Sequence, residues 1–187
     1  MKTVISKTLL NTLAVLVAAI ALFSWNAISW MVFPFHGQQL RTLPDDVMES
    51  IKTQSSDLTS GVYHYQGLDD PHIAKKSMEG PRIPLMVYKA EGTAIFNPFD
   101  FIKSLFFNLV SAGLLFVVLT KIASKTTKNV LIVSAVMGLL IGFMADLPKT
   151  SWHHFPTSYA MVFMVDYVIG FLLAGWVLSK ISIENRT

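Results

Sequence analysis

Four long apolar runs dominate the chain, and polar segments of unequal length separate them. A helix that crosses a bilayer needs roughly 20 mainly apolar residues, and each run is close to that length. The pattern therefore predicts four membrane-spanning helices, with the longest polar segment between the first and the second. The predicted spans cover residues 9–33, 101–119, 130–147 and 159–179.

Composition supports this interpretation. The 187 residues are 52% hydrophobic and 14% charged, and the mean hydropathy is +0.51, whereas soluble domains carry about 25% charged residues. We therefore expect a membrane all-α four-helix bundle that forms one domain over residues 1–187. The absence of cysteine excludes disulfides, thiolate metal sites and cysteine nucleophiles. The net charge of +3 does not indicate nucleic-acid binding, because no run of basic residues occurs away from the flanks of the spans.

The lysines predict an orientation. Short flanks rich in Lys and Arg face the cytoplasm, so we expect both termini in the cytoplasm and segments 34–100 and 148–158 outside. A cleaved signal peptide ending near Ala27–Ser29 is the alternative, but its apolar core would be only about 7–15 residues long, and this run is longer. The flanking basic residues are Lys2, Lys7, Lys121, Lys125, Lys128, Lys180 and Arg186.

The segment 34–100, which we call the cap, is too long for a simple connector. Pro44 followed by two aspartates predicts the start of a helix, which the pattern continues to Gln54. Short β-type runs follow at residues 61–65 and 83–89. We therefore expect a small extracytoplasmic α+β cap. A lone hairpin is marginally stable in water, so this cap should rest on the membrane or on a partner.

Small residues spaced four apart mark the third and fourth spans. Gly138 and Gly142 form one such pair, and Gly170 and Ala174 form another. This spacing lets helix backbones approach closely. It predicts helix packing, either between these two spans or against another protein.

Asp166 lies inside the fourth span, where a carboxylate costs about 2.5–3.5 kcal/mol at the bilayer centre. It therefore needs a partner in the bundle. Asn26, Ser29, Asn108, Lys149 and the histidines are the candidates. Asn26 and Asp166 lie at similar predicted depths, so we expect these two to form an intramembrane polar pair.

Several titratable residues collect on the predicted outer side. The expected site is a shallow pocket, with His36 set at the surface where Pro34 ends the first span. Histidine with aspartate suits acid–base catalysis, and His36, His153 and His154 are candidate zinc or copper ligands. The alternative is a purely structural role, in which Asp166 and Asn26 hold two helices together and His153 and His154 lie in a solvated turn. The candidate site residues are His36, Asp146, His153, His154 and Asp166.

Four sequence patterns are distinctive as a set: Ser29-Trp30-Met31-x-x-Pro34-x-His36, Ser60-Gly61-Val62-Tyr63, Trp152-x-x-Phe155-Pro156-x-x-Tyr159, and Asp166-Tyr167-Val168-Ile169-Gly170 with Ala174-Gly175. Together they resemble a family of bacterial four-span inner-membrane proteins whose activity is not established. The resemblance implies the topology and a bacterial inner membrane. Phe35 stands where that family has tryptophan. The layout is also similar to claudins, without their tryptophan–cysteine signature, and to lipoprotein intramolecular transacylases.

Three functions are compatible with these features. The favoured one is a non-catalytic accessory, assembly or scaffold subunit, which would bind a membrane-protein partner or a second copy through its cap and small-residue helix faces. The second is an outer-leaflet enzyme acting on lipid or lipoprotein by His/Asp chemistry. The third is a histidine-based metal- or haem-binding protein. The sequence identifies no cofactor and no nucleic-acid partner.

Overall fold

The computed structural model describes residues 2–63, 75, 83–92, 94 and 96–183. Within these residues the chain is mostly helical, with one two-stranded sheet. The helices are α1 (Lys2–Met31), α2 (Asp45–Gln54), α3 (Pro98–Lys121), α4 (Thr127–Ile141), α5 (Leu147–Trp152) and α6 (Thr157–Leu178). A 3-10 turn (Gly37–Gln39) and two π-helical turns (Gly142–Asp146 and Ser179–Ile183) complete the helical set, and the strands are β1 (Gly61–Tyr63) and β2 (Met86–Tyr88).

Four helical segments of the described chain are long and apolar enough to cross a membrane, which confirms the predicted number of spans. They cover Lys7–Met31, Pro98–Lys121, Thr127–Trp152 and Thr157–Ile181. This arrangement is consistent with a multi-pass membrane protein.

The third span ends later than the sequence indicated. Pro148 has no N–H and was expected to open a turn over residues 148–158. Instead the π-helical turn Gly142–Asp146 leads directly into α5, with Pro148 in the first turn of that helix. The π-helical turn accommodates the proline. The Leu147 N–H bonds the Gly142 carbonyl five residues earlier, so the ordinary hydrogen-bond pattern is already interrupted just before Pro148. The helix therefore continues to Trp152.

The small-residue motifs of α4 and α6 pack inside the chain. A Cβ added at Gly138 would lie 2.7 Å from the carbonyl oxygen of Tyr167 and 2.7 Å from the Cα of Val168, both on α6. Gly170 faces Leu22 of α1 instead, and Ala174 is fully buried. The α4–α6 contact is the most extensive in the bundle, and α1 packs against both α3 and α6. These faces are therefore occupied without a partner protein.

The cap contains the predicted helix and strand pair. Helix α2 begins with Asp45 and Asp46 in its first turn, where carboxylates interact favourably with the helix dipole. Strands β1 and β2 pair antiparallel, with Val62 opposite Val87. The Tyr88 hydroxyl joins the sheet to the end of α2 through Ser55. Residues 64 and 65, predicted as strand, and most of the polar stretch after them lie outside the described residues.

Replacing Gly138 with alanine should destabilise the bundle by about 1–3 kcal/mol, because the added methyl group meets backbone atoms that cannot move aside easily. The matched control is Gly113→Ala, since nothing lies within 4 Å of a Cβ added there. Thermal unfolding in one detergent, followed by circular dichroism, compares the two variants. Equal melting temperatures would contradict this packing.

Glu91 should titrate at an unusually low pH. Hydrogen bonds from Lys89 first, and then from Ser60, lower the pKa of its exposed carboxyl group from 4.5 to about 2. The stabilisation from a depressed folded-state pKa is present above pH 4.5 and is lost as the pH falls toward 2. Carbon-13 NMR titration of the Glu91 carboxyl carbon measures this directly. Ser60→Ala should raise the midpoint, and a wild-type midpoint near 4.5 would refute the interaction.

Candidate functional site

The Asp166 carboxylate on α6 is 6% exposed and receives hydrogen bonds from two residues of the first span and its exit. The Ser29 hydroxyl lies 2.7 Å from Oδ1 and 2.8 Å from Oδ2. The Nε2 atom of His36 lies 2.6 Å from Oδ2 and 3.1 Å from the Ser29 hydroxyl oxygen. We call these three residues the Ser29–His36–Asp166 cluster.

A reverse turn brings His36 into this cluster. Helix α1 ends at Met31, and the N–H groups of Val32 and Phe33 both bond the carbonyl of Ile28. The N–H of Gln38 then bonds the carbonyl of Pro34. This turn folds His36 back over the last turn of α1, where the ring is only 3% exposed. His36 is therefore buried within the fold rather than open to solvent.

Aromatic rings enclose the histidine. Trp30 stacks on His36 with 4.1 Å between ring centroids and an interplanar angle of 13°. Phe163 of α6 meets the His36 ring edge-on at 5.3 Å and the Trp30 ring at 5.6 Å. Phe163 also contacts Tyr159 one turn earlier on α6. These contacts hold the imidazole in one orientation and strengthen its hydrogen bonds by excluding water.

The hydrogen-bond pattern differs from that of a nucleophilic triad. In such a triad one ring nitrogen of histidine accepts the serine proton while the other donates to the aspartate. Here the same atom, His36 Nε2, faces both Asp166 and Ser29. The Ser29 hydroxyl oxygen lies 2.7 and 2.8 Å from the Asp166 oxygens but 3.1 Å from His36 Nε2, so serine donates to the carboxylate. We infer that His36 carries a proton on Nε2, and that Ser29 is not activated as a nucleophile.

Asn26 has a different partner from the one expected. Its side-chain amide donates to Asn108 Oδ1 of α3 at 3.1 Å, and the Asn108 amide donates in turn to the Ser104 carbonyl at 2.8 Å. The predicted Asn26–Asp166 pair is thus replaced by two separate polar contacts. Asn26 joins α1 to α3, whereas Asp166 joins α6 to the end of α1.

The remaining candidate residues do not join the cluster. Asp146 is 2% exposed and its Oδ1 lies 2.7 Å from the Lys149 ammonium. His153 and His154 are exposed, and neither contacts His36 in the described part of the chain. His154 has a φ of 55°, which places it in the left-handed region at the turn that follows α5, a conformation histidine adopts more readily than most residues.

The structure does not assemble the proposed metal ligands. Among the residues it describes, no group of three or more histidine, aspartate or glutamate side chains could hold a metal ion. His36 has Ser29 and Asp166 as neighbours, rather than the two histidines of the turn.

A pocket of about 560 Å³ lies beside the cluster, between α1, α3 and α6. Asp166 forms part of its wall, together with Asn26 of α1 and Ser104 of α3. The sequence indicated a pocket lined by histidines. The observed one is lined instead by aromatic side chains and by residues from the start of α3, which the sequence analysis did not consider.

The sequence pattern did not lead us to predict that Ser29 would bond both His36 and Asp166, or that Trp30 would stack on His36. A proline five residues after Ser29 ends the helix, and the following Phe-His-Gly can reverse the chain, so His36 falls beside the last helical turn. That spacing was a usable signal. Nothing in the sequence indicated that Phe163 would complete the aromatic enclosure.

No family model, curated protein or solved structure matches the chain significantly. The geometry of the site is therefore the basis for the functional argument.

Ser29→Ala should destabilise the protein by about 1.5–3 kcal/mol, since it removes a hydrogen bond to a buried charged group. Ser24→Ala is the matched control, because Ser24 lies on the same helix and is exposed; it should change stability by no more than about 0.5 kcal/mol. Thermal unfolding in detergent measures both. If Ser29→Ala behaves like Ser24→Ala, the hydroxyl does not stabilise Asp166.

Proposed function

We propose that this chain is a non-catalytic accessory or assembly subunit of a bacterial inner membrane. In this proposal both termini lie in the cytoplasm and the cap lies outside. The lysine-rich flanks of the spans support that orientation. The resemblance to four-span bacterial proteins supports the location.

One observation supports the non-catalytic assignment: within the Ser29–His36–Asp166 cluster, the hydrogen-bond donors of Ser29 and His36 are used by Asp166. The serine proton and His36 Nε2 are both directed at the Asp166 carboxylate. A general base must be able to accept the proton that it abstracts, and this histidine nitrogen is already engaged. The cluster is therefore suited to joining α1 to α6, and the enzymatic alternative has less support.

The cap offers the surface for a partner. Val62 and Val87 lie opposite each other on the two strands and are 66% and 76% exposed. Ile83, shortly before β2, is 56% exposed. A two-stranded sheet also leaves unpaired backbone groups along its edges, which can pair with a strand of another protein. The small-residue faces of α4 and α6 are occupied within the chain, so the proposed interface is the cap alone.

Native mass spectrometry of the tagged full-length chain, purified in mild detergent, tests this proposal. We expect a complex of fixed stoichiometry, either with another membrane protein or with a second copy. The double variant Val62→Asp with Val87→Asp should dissociate it, because burying a carboxylate without a partner is costly. Lys52→Asp, which introduces a carboxylate at an exposed position of α2, is the control and should retain the complex.

A wild-type protein that remains monomeric in every mild detergent would contradict the accessory role. So would a complex that survives both aspartates, because the valine pair would then lie outside the interface.

A further inference from the structure

The pocket between α1, α3 and α6 is not explained by an accessory role, and its volume of about 560 Å³ lies in the range of sites that hold one small ligand, about 300–1,000 Å³. The proposed partner surface is on the cap sheet, whereas this pocket lies among the helices that could cross a membrane. The pocket is therefore a candidate binding site for a ligand other than the protein partner.

Much of the pocket wall is apolar. Along α1 the lining extends from Met31 back to Phe23, a distance of about 12 Å at 1.5 Å per residue. Ala27 leaves space midway, and Phe101 and Phe163 line the wall from α3 and α6. An extended hydrocarbon chain fits this long apolar wall.

Acidic and neutral acceptor groups occupy one end of the pocket. Asp100 lies in the first turn of α3, and Asp166 lies level with the last turn of α1, where it meets Ser29. Both residues line the pocket, and the described residues of its lining include no lysine, arginine or histidine. The Asp166 carboxylate is buried and already accepts from Ser29 and His36, so it contributes negative charge to the wall. The Asp100 carboxylate is exposed and has acceptor positions left for a ligand. This end of the pocket therefore favours a cationic donor.

Lys103 provides the complementary charge just outside the lining. Its ammonium lies 2.7 Å from Asp100 Oδ1, and both side chains are more than half exposed. A ligand phosphate can bind Lys103 while a ligand ammonium binds Asp100. Two ion pairs with the ligand then replace the exposed Lys103–Asp100 pair. A zwitterionic head group with a primary ammonium and a phosphate matches this arrangement.

We propose that the pocket binds one phospholipid with an ethanolamine head group. Its ammonium lies at Asp100, its phosphate lies at Lys103, and one acyl chain runs toward Phe23. A phospholipid with a glycerol head group carries net negative charge and no ammonium, so the two carboxylates disfavour it. This inference is independent of the accessory role, since a monomer can bind the lipid equally well.

Native mass spectrometry with defined lipids tests the proposal. The full-length protein is incubated with ethanolamine, choline and glycerol phospholipids that have identical acyl chains. The ethanolamine ammonium supplies N–H donors to Asp100, so we expect about tenfold tighter binding of this lipid, a difference of about 1.4 kcal/mol. The choline lipid has no N–H donors and should bind less tightly.

Asp100→Asn is the informative variant because the residue is exposed and lies outside the Ser29–His36–Asp166 cluster. It should reduce ethanolamine-lipid binding and, by freeing Lys103, increase glycerol-lipid binding. Asp45→Asn changes an exposed aspartate in the first turn of α2 in the same way and should alter neither. Ala27→Phe should reduce binding of all three lipids by filling the pocket.

Equal binding of the three lipids would overturn the proposal, as would preference for the glycerol lipid in the wild type. An ethanolamine preference that Asp100→Asn leaves unchanged would overturn it too. None of these outcomes affects the complex expected at the cap, so the two proposals can fail separately.

Discussion

A carboxylate within an apolar helix must be given hydrogen-bond donors, and the arrangement of one end of this bundle follows from that requirement at Asp166. Without donors the group would cost several kcal/mol in an apolar environment. Ser29 and His36 supply them, and His36 can do so only because the chain reverses after Pro34. The position of the exit turn, the stacking of Trp30 and the contact of Phe163 with both rings all depend on this interaction.

Helix α1 is the element that joins the others. Asn26 ties it to α3 through Asn108, and Ser29 ties it to α6 through Asp166. Trp25 adds a third contact by donating from Nε1 to the carbonyl of Asp166 at 3.2 Å. Helices α1, α3 and α6 leave a space between them beside these polar contacts, and this space is the pocket. Its mixed lining of aromatic and acidic groups is thus a direct result of how α1 is held.

The sequence was sufficient for features that depend on local pattern, such as the four long apolar helices, the start of α2 at Asp45 and the two short strands. It was insufficient where the rotation of one helix about its axis decides the outcome. Asn26 and Asp166 lie at similar depths, but depth alone does not show that Asn26 faces α3. The continuation of the third span through Pro148 depends on a π-helical turn, and the burial of His36 depends on a reverse turn. Neither has a strong hydrophobic signature.

The central claim is that His36 donates from Nε2 to Asp166 and that Ser29 is therefore a structural donor. Nitrogen-15 NMR of the histidine-labelled full-length protein in lipid nanodiscs, with His36→Gln used to assign the resonance, reports which ring nitrogen carries a proton. We predict a protonated Nε2 at neutral pH, with a proton that exchanges slowly with water. An unprotonated Nε2 would mean that Ser29 donates to the histidine as a nucleophile does, and it would contradict the account.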